Sequence, residues 1–178
     1  MENVKIKDKE FALFIPEKKI LEQVDRVAEE INRDLADKDP LFICVLNGSF
    51  MFAADLMKRV HIPSEISFVK LSSYSGMSST GNLKEIIGLN QNIEGRSIVI
   101  VEDIVDTGHT MASMVEQLKS KNPGDLRIAT LLYKPNALKV DLTLDYVAIE
   151  IPNDFILGYG LDYDGYGRNL ADIYKIVE

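Results

Sequence analysis

The chain is poor in the residues that build covalent or metal frameworks. It has one cysteine among 178 residues, Cys44, so no internal disulfide can form. Cys44 sits inside the apolar run 41–46 and reads as a small buried side chain rather than a nucleophile. The two histidines, His61 and His109, make no pair at helical spacing, which argues against a zinc or iron site. A metal, if used, must be held by oxygen. No apolar run approaches the roughly 18 residues that span a bilayer, and the charged first ten residues have no apolar signal core behind them. No membrane contact and a cytoplasmic location are therefore expected. There is no run rich in lysine and arginine either. With 20 basic against 28 acidic residues the net charge is −8, which repels a phosphate backbone, so no nucleic-acid partner is expected. The phosphate-binding patterns G-x-x-x-x-G-K-[ST] and G-x-G-x-x-G are both missing, which weakens nucleoside-triphosphatase and dinucleotide readings.

What is present is the composition of one soluble domain spanning 1–178, with 46% hydrophobic and 27% charged residues. Ile20, Val24, Val27, Ala28, Ile31 and Leu35 fall at helical spacing and predict an amphipathic helix over 17–36. The continuous apolar runs 41–46 and 97–101 are of strand length and suit strands covered on both faces. Asn47-Gly48-Ser49 breaks the first run, and Phe52, Leu56 and Val60 continue as a helix. Strands are also expected near 66–71, 126–132 and 146–151, with a helix carried by Met111, Met114, Val115 and Leu118. The polar stretch 72–82 has no core face and is expected to be a long mobile loop. This alternation implies an open α/β fold, a mostly parallel twisted sheet flanked by helices, with ligands outside the carboxyl ends of its strands. Three chemical segments sit at such ends: 47–49, 102–110 and 134–136.

In 102–110 a buried strand delivers Glu102 and Asp103, then Asp106, then a Thr-Gly-x-Thr turn that opens a helix. A helix N-terminus offers amide hydrogens and positive dipole, with the Thr107 and Thr110 hydroxyls as further donors and Gly108 permitting close approach, so it suits a phosphate. The carboxylates would repel that anion and must face something else. Sugar hydroxyls and a Mg²⁺ ion carrying a second phosphate group match them. The plain alternative is that Asp106 and Thr107 cap the helix while Glu102 and Asp103 are solvated.

The stretch Val-Ile-Val-Glu-Asp-Ile-Val-Asp-Thr-Gly-His-Thr-Met, 99–111, resembles the phosphoribosyl pyrophosphate (PRPP) signature of type I phosphoribosyltransferases. Val-Leu-Asn-Gly-Ser-Phe at 45–50, Ser73-Tyr74, Lys134-Pro135, Phe-Ile-Leu-Gly-Tyr-Gly-Leu-Asp-Tyr at 155–163 and Arg168 are similar to the hypoxanthine-guanine phosphoribosyltransferases in particular. The resemblance covers about 41–170 and implies a small hood of terminal segments over the sheet.

It implies the following roles. Glu102 and Asp103 would hold the ribose hydroxyls and contribute to a Mg²⁺ site. Asp106, Thr107, Gly108, His109 and Thr110 would surround the 5′-phosphate, with His109 contributing its backbone N–H. Asp106 would also be the catalytic group, a proton acceptor or hydrogen-bond partner near purine N7. The loop at Asn47 and Gly48 would meet pyrophosphate through backbone amides, by way of a non-proline cis peptide in many relatives. The family often has lysine where this chain has Asn47. Ser73 and Tyr74 would close over pyrophosphate, and Arg168 would pair with it. Lys134 would donate to the purine O6, Phe155 would stack on the base and the Ile156 backbone would read its edge. Asp162 would reach a second Mg²⁺ through its hydration shell. The implied reaction is Mg²⁺-dependent purine salvage: PRPP with hypoxanthine or guanine gives IMP or GMP and pyrophosphate. A homodimer or homotetramer is implied by analogy. His61 matches no motif and is read as a solvated helix-end residue. Two rivals are a regulatory member of the same fold that binds nucleic acid, opposed by the net charge, and a pyrimidine enzyme, opposed by Lys134 with Phe155 and Ile156.

Overall fold

The computed structural model describes residues 3–74 and 83–177. Its centre is a six-stranded sheet formed by β3 (Leu41–Val45), β4 (Glu65–Tyr74), β5 (Leu83–Ile87), β6 (Ser97–Val105), β7 (Asp125–Tyr133) and β8 (Tyr146–Glu150). The spatial order is β5-β4-β3-β6-β7-β8, and every neighbouring pair is parallel except β4 with β5. Helices α1 (Glu17–Asp34), α2 (Phe50–Met57) and α3 (His109–Lys119) cover it.

The uninterrupted apolar runs follow from this burial on both faces. In β3, Phe42 and Cys44 belong to the core beneath α1 and α2, whereas Leu41, Ile43 and Val45 belong to the core beneath α3. Val99 and Val101 of β6 join the first cluster, Ile98 and Ile100 the second. Each fully buried side chain of this size contributes about 1.5–3 kcal/mol, so no polar residue is tolerated there. Cys44 is fully buried, and burial pushes its thiol pKa up to about 12, which makes it an inert packing residue. In α1 the buried positions are Ile20, Val24, Val27, Ala28 and Ile31, the stripe expected from spacing. Ile66 and Phe68 pair with Phe42 and Cys44 and so continue that face, but α2 does not reach them and they stay 39% and 45% exposed.

A second, antiparallel sheet joins the termini. It contains β1 (Val4–Ile6), β2 (Lys9–Ile15), β9 (Ile156–Leu157) and β10 (Ile173–Ile176) in the order β1-β2-β10-β9. This is the hood.

Several boundaries differ from the sequence expectation. Strand β6 runs four residues past 101, because its pairing with β7 continues to Val105 beside Tyr133. Glu102 and Asp103 are therefore strand residues rather than loop acids. Strand β4 runs through Tyr74 and pairs with β5, so the polar segment does not start as a loop at 72. The side chains of Ser73 and Tyr74 and residues 75–82 lie outside the described residues. Helix α2 ends at Met57, short of Val60. The His61 N–H is bound by the Asn32 side chain at 2.8 Å, past the end of that helix.

Candidate active site

Strand order sets the site. From β3 the chain moves outward through β4 to β5, then returns to β6 on the other side and continues to β7 and β8. The direction reverses between β3 and β6, and a crevice opens outside the carboxyl ends of adjacent strands at such a point. The segment after β3 holds Asn47 and Gly48, and the end of β6 holds Glu102 and Asp103.

These two segments touch. A Cβ placed on Gly48 would lie 1.7 Å from Asp103 Oδ2, so only glycine lets the carboxylate rest against that backbone. The Leu46–Asn47 peptide is cis. Asp103 Oδ1 accepts the Ile104 N–H at 2.8 Å, and Glu102 Oε1 accepts the Asp103 N–H at 3.0 Å. Glu102 is buried and Asp103 is half-buried. Both carboxylates are thus oriented by backbone donors at the mouth of the crevice.

The turn that follows β6 lines a cavity of about 240 Å³, walled by Glu102, Asp103, Asp106, Thr107, Gly108, Thr110 and their neighbours Ile104, Val105 and Met111. Gly108 caps α3 at φ +86°, in the left-handed region, and no side chain caps the helix. Its missing Cβ also matters, since one there would lie 2.7 Å from both Leu138 and Val140 side chains. The Thr107 carbonyl accepts the Lys139 N–H at 2.9 Å, which ties the turn to that covering segment. His109 is exposed as the first residue of α3. A helix start with no side-chain cap, facing a cavity, has amide donors and positive dipole to offer an anion.

Lys134 follows β7. Its N–H donates to Val105 O at 3.0 Å, and its ammonium lies 3.3 Å from Asp106 Oδ2. Lys134 is 9% exposed while Asp106 is open to solvent. A buried cation held beside an exposed acid offers a donor and a charge-bearing oxygen to adjacent atoms of one heterocycle edge.

The hood supplies the rest. Phe155 is 45% exposed, and its ring is braced by Phe11 at 6.2 Å and by Tyr163 edge-on at 5.9 Å. The Tyr163 hydroxyl donates to Asp8 at 2.8 Å, and Lys7 pairs with Asp164, so the β1–β2 turn clasps this segment. The Phe155 carbonyl accepts the Ile176 N–H. Backbone polar groups alternate along a strand, so those of Ile156 face the outer edge of β9, the last strand of its sheet. Arg168 donates to Gly160 O at 2.7 Å and pairs with Asp162 at 3.1 Å, and the other Asp162 oxygen accepts the Gly165 N–H. Gly160 rests on the first loop, since a Cβ there would lie 2.1 Å from Gly48 O.

Every expected site residue with described side chains thus lies on the carboxyl side of the sheet or in the hood. Tyr159, Gly160 and Tyr163 fall within the motif at 155–163 but carry no expected role of their own, and Phe11 and Asp55 lie in no motif. Nothing local ties Phe11 or Tyr163 to the Phe155 ring. The Asp55–Tyr159 hydrogen bond spans 104 residues, and no local pattern announces it.

A twisted α/β sheet with an acidic strand end feeding a helix-opening turn matches the arrangement that the phosphoribosyltransferase resemblance implies. Residues 16–164 match the phosphoribosyl transferase domain family, and the chain belongs to that family. It is 43% identical over 163 residues to the hypoxanthine-guanine phosphoribosyltransferase of Streptococcus pyogenes, covering 91% of each chain. It is 38% identical over 168 residues to the hypoxanthine phosphoribosyltransferase of Salmonella typhimurium, covering 93% of this chain and 94% of that one. Among solved structures, a hypoxanthine-guanine phosphoribosyltransferase of Bacillus anthracis superposes with a TM-score of 0.86 at 37% identity, covering 97% of this chain and all of the other. No helix among the described residues is long and apolar enough to cross a membrane.

Proposed function

We propose that the chain catalyses purine salvage, transferring the 5-phosphoribosyl group of PRPP to N9 of hypoxanthine or guanine and releasing pyrophosphate. The products are IMP and GMP. The observation that carries this reading is the buried Lys134 held 3.3 Å from Asp106 beside the phosphate turn. An ammonium donor there accepts a 6-oxo group as partner and opposes the amino group of adenine, itself a donor.

In this reading the turn 106–110 holds the 5′-phosphate, and Glu102 and Asp103 accept hydrogen bonds from the ribose diol. Asp106 sits at purine N7 and takes or shares the proton as N9 attacks the anomeric carbon. As the C1–O bond breaks, negative charge grows on pyrophosphate, which the amides at Asn47 and Gly48 and the Arg168 guanidinium stabilise. Phe155 stacks on the base, and the open edge of Ile156 meets its rim. Water is the competing nucleophile, and its exclusion falls to the polar segment 72–82 with Ser73 and Tyr74, on the sequence pattern alone.

Mg²⁺ is the proposed cofactor. Glu102, Asp103 and Asp162 are hard oxygen donors, yet among the described residues no three His, Cys, Asp or Glu form a cluster able to hold a metal ion. That donor set fits an ion which keeps its waters and arrives on substrate phosphates. When bound, it would supply positive charge to the leaving pyrophosphate. Asp162, with both oxygens already hydrogen-bonded, would act through the ion's water. A cytoplasmic location and assembly as a homodimer or homotetramer complete the reading, the latter by analogy with relatives.

The test is a steady-state assay with PRPP, Mg²⁺ and each of hypoxanthine, guanine, xanthine and adenine. Nucleotide should form with 6-oxopurines and not with adenine. Failure of hypoxanthine and guanine alike to react overturns the reading.

A further inference from the structure

Two loops meet at the pyrophosphate end, and a buried phenol joins their supports. Tyr159 is 1% exposed, and its hydroxyl donates to Asp55 Oδ2 at 2.5 Å. Asp55 lies on α2, the helix that starts just after Gly48, and its other oxygen meets Lys58 at 2.7 Å. Tyr159 itself takes φ +47°, a left-handed conformation that a bulky residue adopts only when its surroundings hold it there. The next residue, Gly160, abuts the Gly48 carbonyl, donates its N–H to Arg168 O at 2.9 Å and accepts the Arg168 guanidinium at 2.7 Å. Arg168 in turn orients Asp162. One side chain therefore sits between the helix that carries the first loop and the turn that carries the second.

We infer that Tyr159 is a positioning residue for pyrophosphate, its hydrogen bond to Asp55 fixing the separation of the Gly48 loop from the Arg168–Asp162 pair. The inference rests on the phosphoribosyl-transfer reading and deepens it. The hydroxyl is separable from the packing, because phenylalanine fills the same hole in the core. A role in packing alone would lower stability and affect all ligands together. A positioning role acts on ligands that carry pyrophosphate and spares those that do not.

The experiment uses the whole enzyme with Tyr159→Phe, Asp55→Ala, Asp55→Asn and the Tyr159→Phe/Asp55→Ala double variant. Tyr159→Phe and Asp55→Ala should each raise KM for PRPP, and for pyrophosphate in the reverse reaction, by about fivefold to tenfold, the worth of one ordinary net hydrogen bond. KM for hypoxanthine and the dissociation constant for IMP, which has no pyrophosphate, should stay within about twofold, the ordinary scatter of a substitution outside the contact. Asp55→Asn keeps an acceptor and should restore pyrophosphate binding. The double variant should be no worse than either single one, as for two halves of one bond. Should Tyr159→Phe fail to fold, Asp55→Ala cuts the same bond from the partly exposed helix. Equal losses for PRPP, pyrophosphate, hypoxanthine and IMP overturn the inference, as does an unchanged pyrophosphate KM in the folded variants. Absence of nucleotide synthesis by the unsubstituted enzyme would instead overturn the parent reading.

Discussion

The proposed ribose-phosphate end of the site comes from one continuous stretch, 102–110, whereas the proposed pyrophosphate and purine end is assembled from 46–48, 134, 155–168 and, behind them, 8–11. The first end is rigid by construction. Glu102 and Asp103 lie at the end of a central strand, past its pairing with β3 but still alongside β7, and their carboxylates are set by adjacent N–H groups. The second end depends on contacts between segments far apart in sequence: Gly160 against Gly48, Phe155 against Phe11 and Tyr163, Tyr159 against Asp55. Substitutions in the continuous end should therefore strike chemistry or ribose binding directly. In the assembled end they should change how well one ligand group is held and leave the others intact.

Asp106→Asn probes the continuous end most severely. Turnover should fall about a hundredfold or more, the usual worth of a positioned acid or base, while PRPP affinity changes little. Pre-steady-state kinetics separates the two, and undiminished turnover would remove the acid-base role. Gly48→Ala strikes the seam between the ends. The added methyl must displace the Asp103 carboxylate, and Gly48 has no positive φ to add strain, so the melting temperature should hold while PRPP binding weakens about tenfold, or 1.4 kcal/mol. An unchanged KM for PRPP would mean that the Gly48–Asp103 contact is not used.

Lys134→Ala acts chiefly on base choice. Discrimination between 6-oxopurines and adenine should drop at least about tenfold, because a hydrogen bond from a charged donor contributes about 1.5–3 kcal/mol, on the order of tenfold to a hundredfold. If adenine remains as poor a substrate as before, the O6 contact is wrong. The smallest effect concerns pH. Burial works to raise the Asp55 pKa, but hydrogen bonds from Lys58 and Tyr159 outweigh it and hold the carboxyl below its usual value. A depressed carboxylate stabilises the fold above the unfolded pKa of about 4 and loses that contribution as pH falls through the folded value. Melting temperature measured down the acid limb should fall less steeply for Asp55→Asn than for the parent chain, and matching slopes would show that the charge contributes nothing.

The same contrast explains what was legible in the sequence. Apolar runs at 41–46 and 97–101, the stripe in α1 and the acidic turn are local patterns, and each is written by residues that are neighbours in the chain. Parallel pairing of β3 with β6 follows from their continuous apolarity. The apolar run stops at Val101, so apolarity alone does not extend the strand over the acidic pair. Here β6 continues beside β7 through Val105, and the two acids emerge where the covering layers end. The terminal strands were invisible as strands, since Val4–Ile6 and Ile173–Ile176 are short, half-buried and charged between apolar positions. Val4–Ile6 is held by a hairpin with the adjacent β2, and Ile173–Ile176 by pairing with the distant β2 and with β9. Recognising that Phe155 is braced by Phe11, or that Tyr159 reaches Asp55, needs the three-dimensional structure.

The central claim is that the turn at 106–110 grips a phosphate while Glu102 and Asp103 hold a vicinal diol. Calorimetric titration with ribose 5-phosphate and with 2-deoxyribose 5-phosphate tests it without base or pyrophosphate present. The deoxy sugar should bind at least about tenfold more weakly, through loss of one hydrogen bond to a charged acceptor, and Glu102→Gln with Asp103→Asn should erase the difference. Equal affinity of the unsubstituted protein for the two sugars would contradict it.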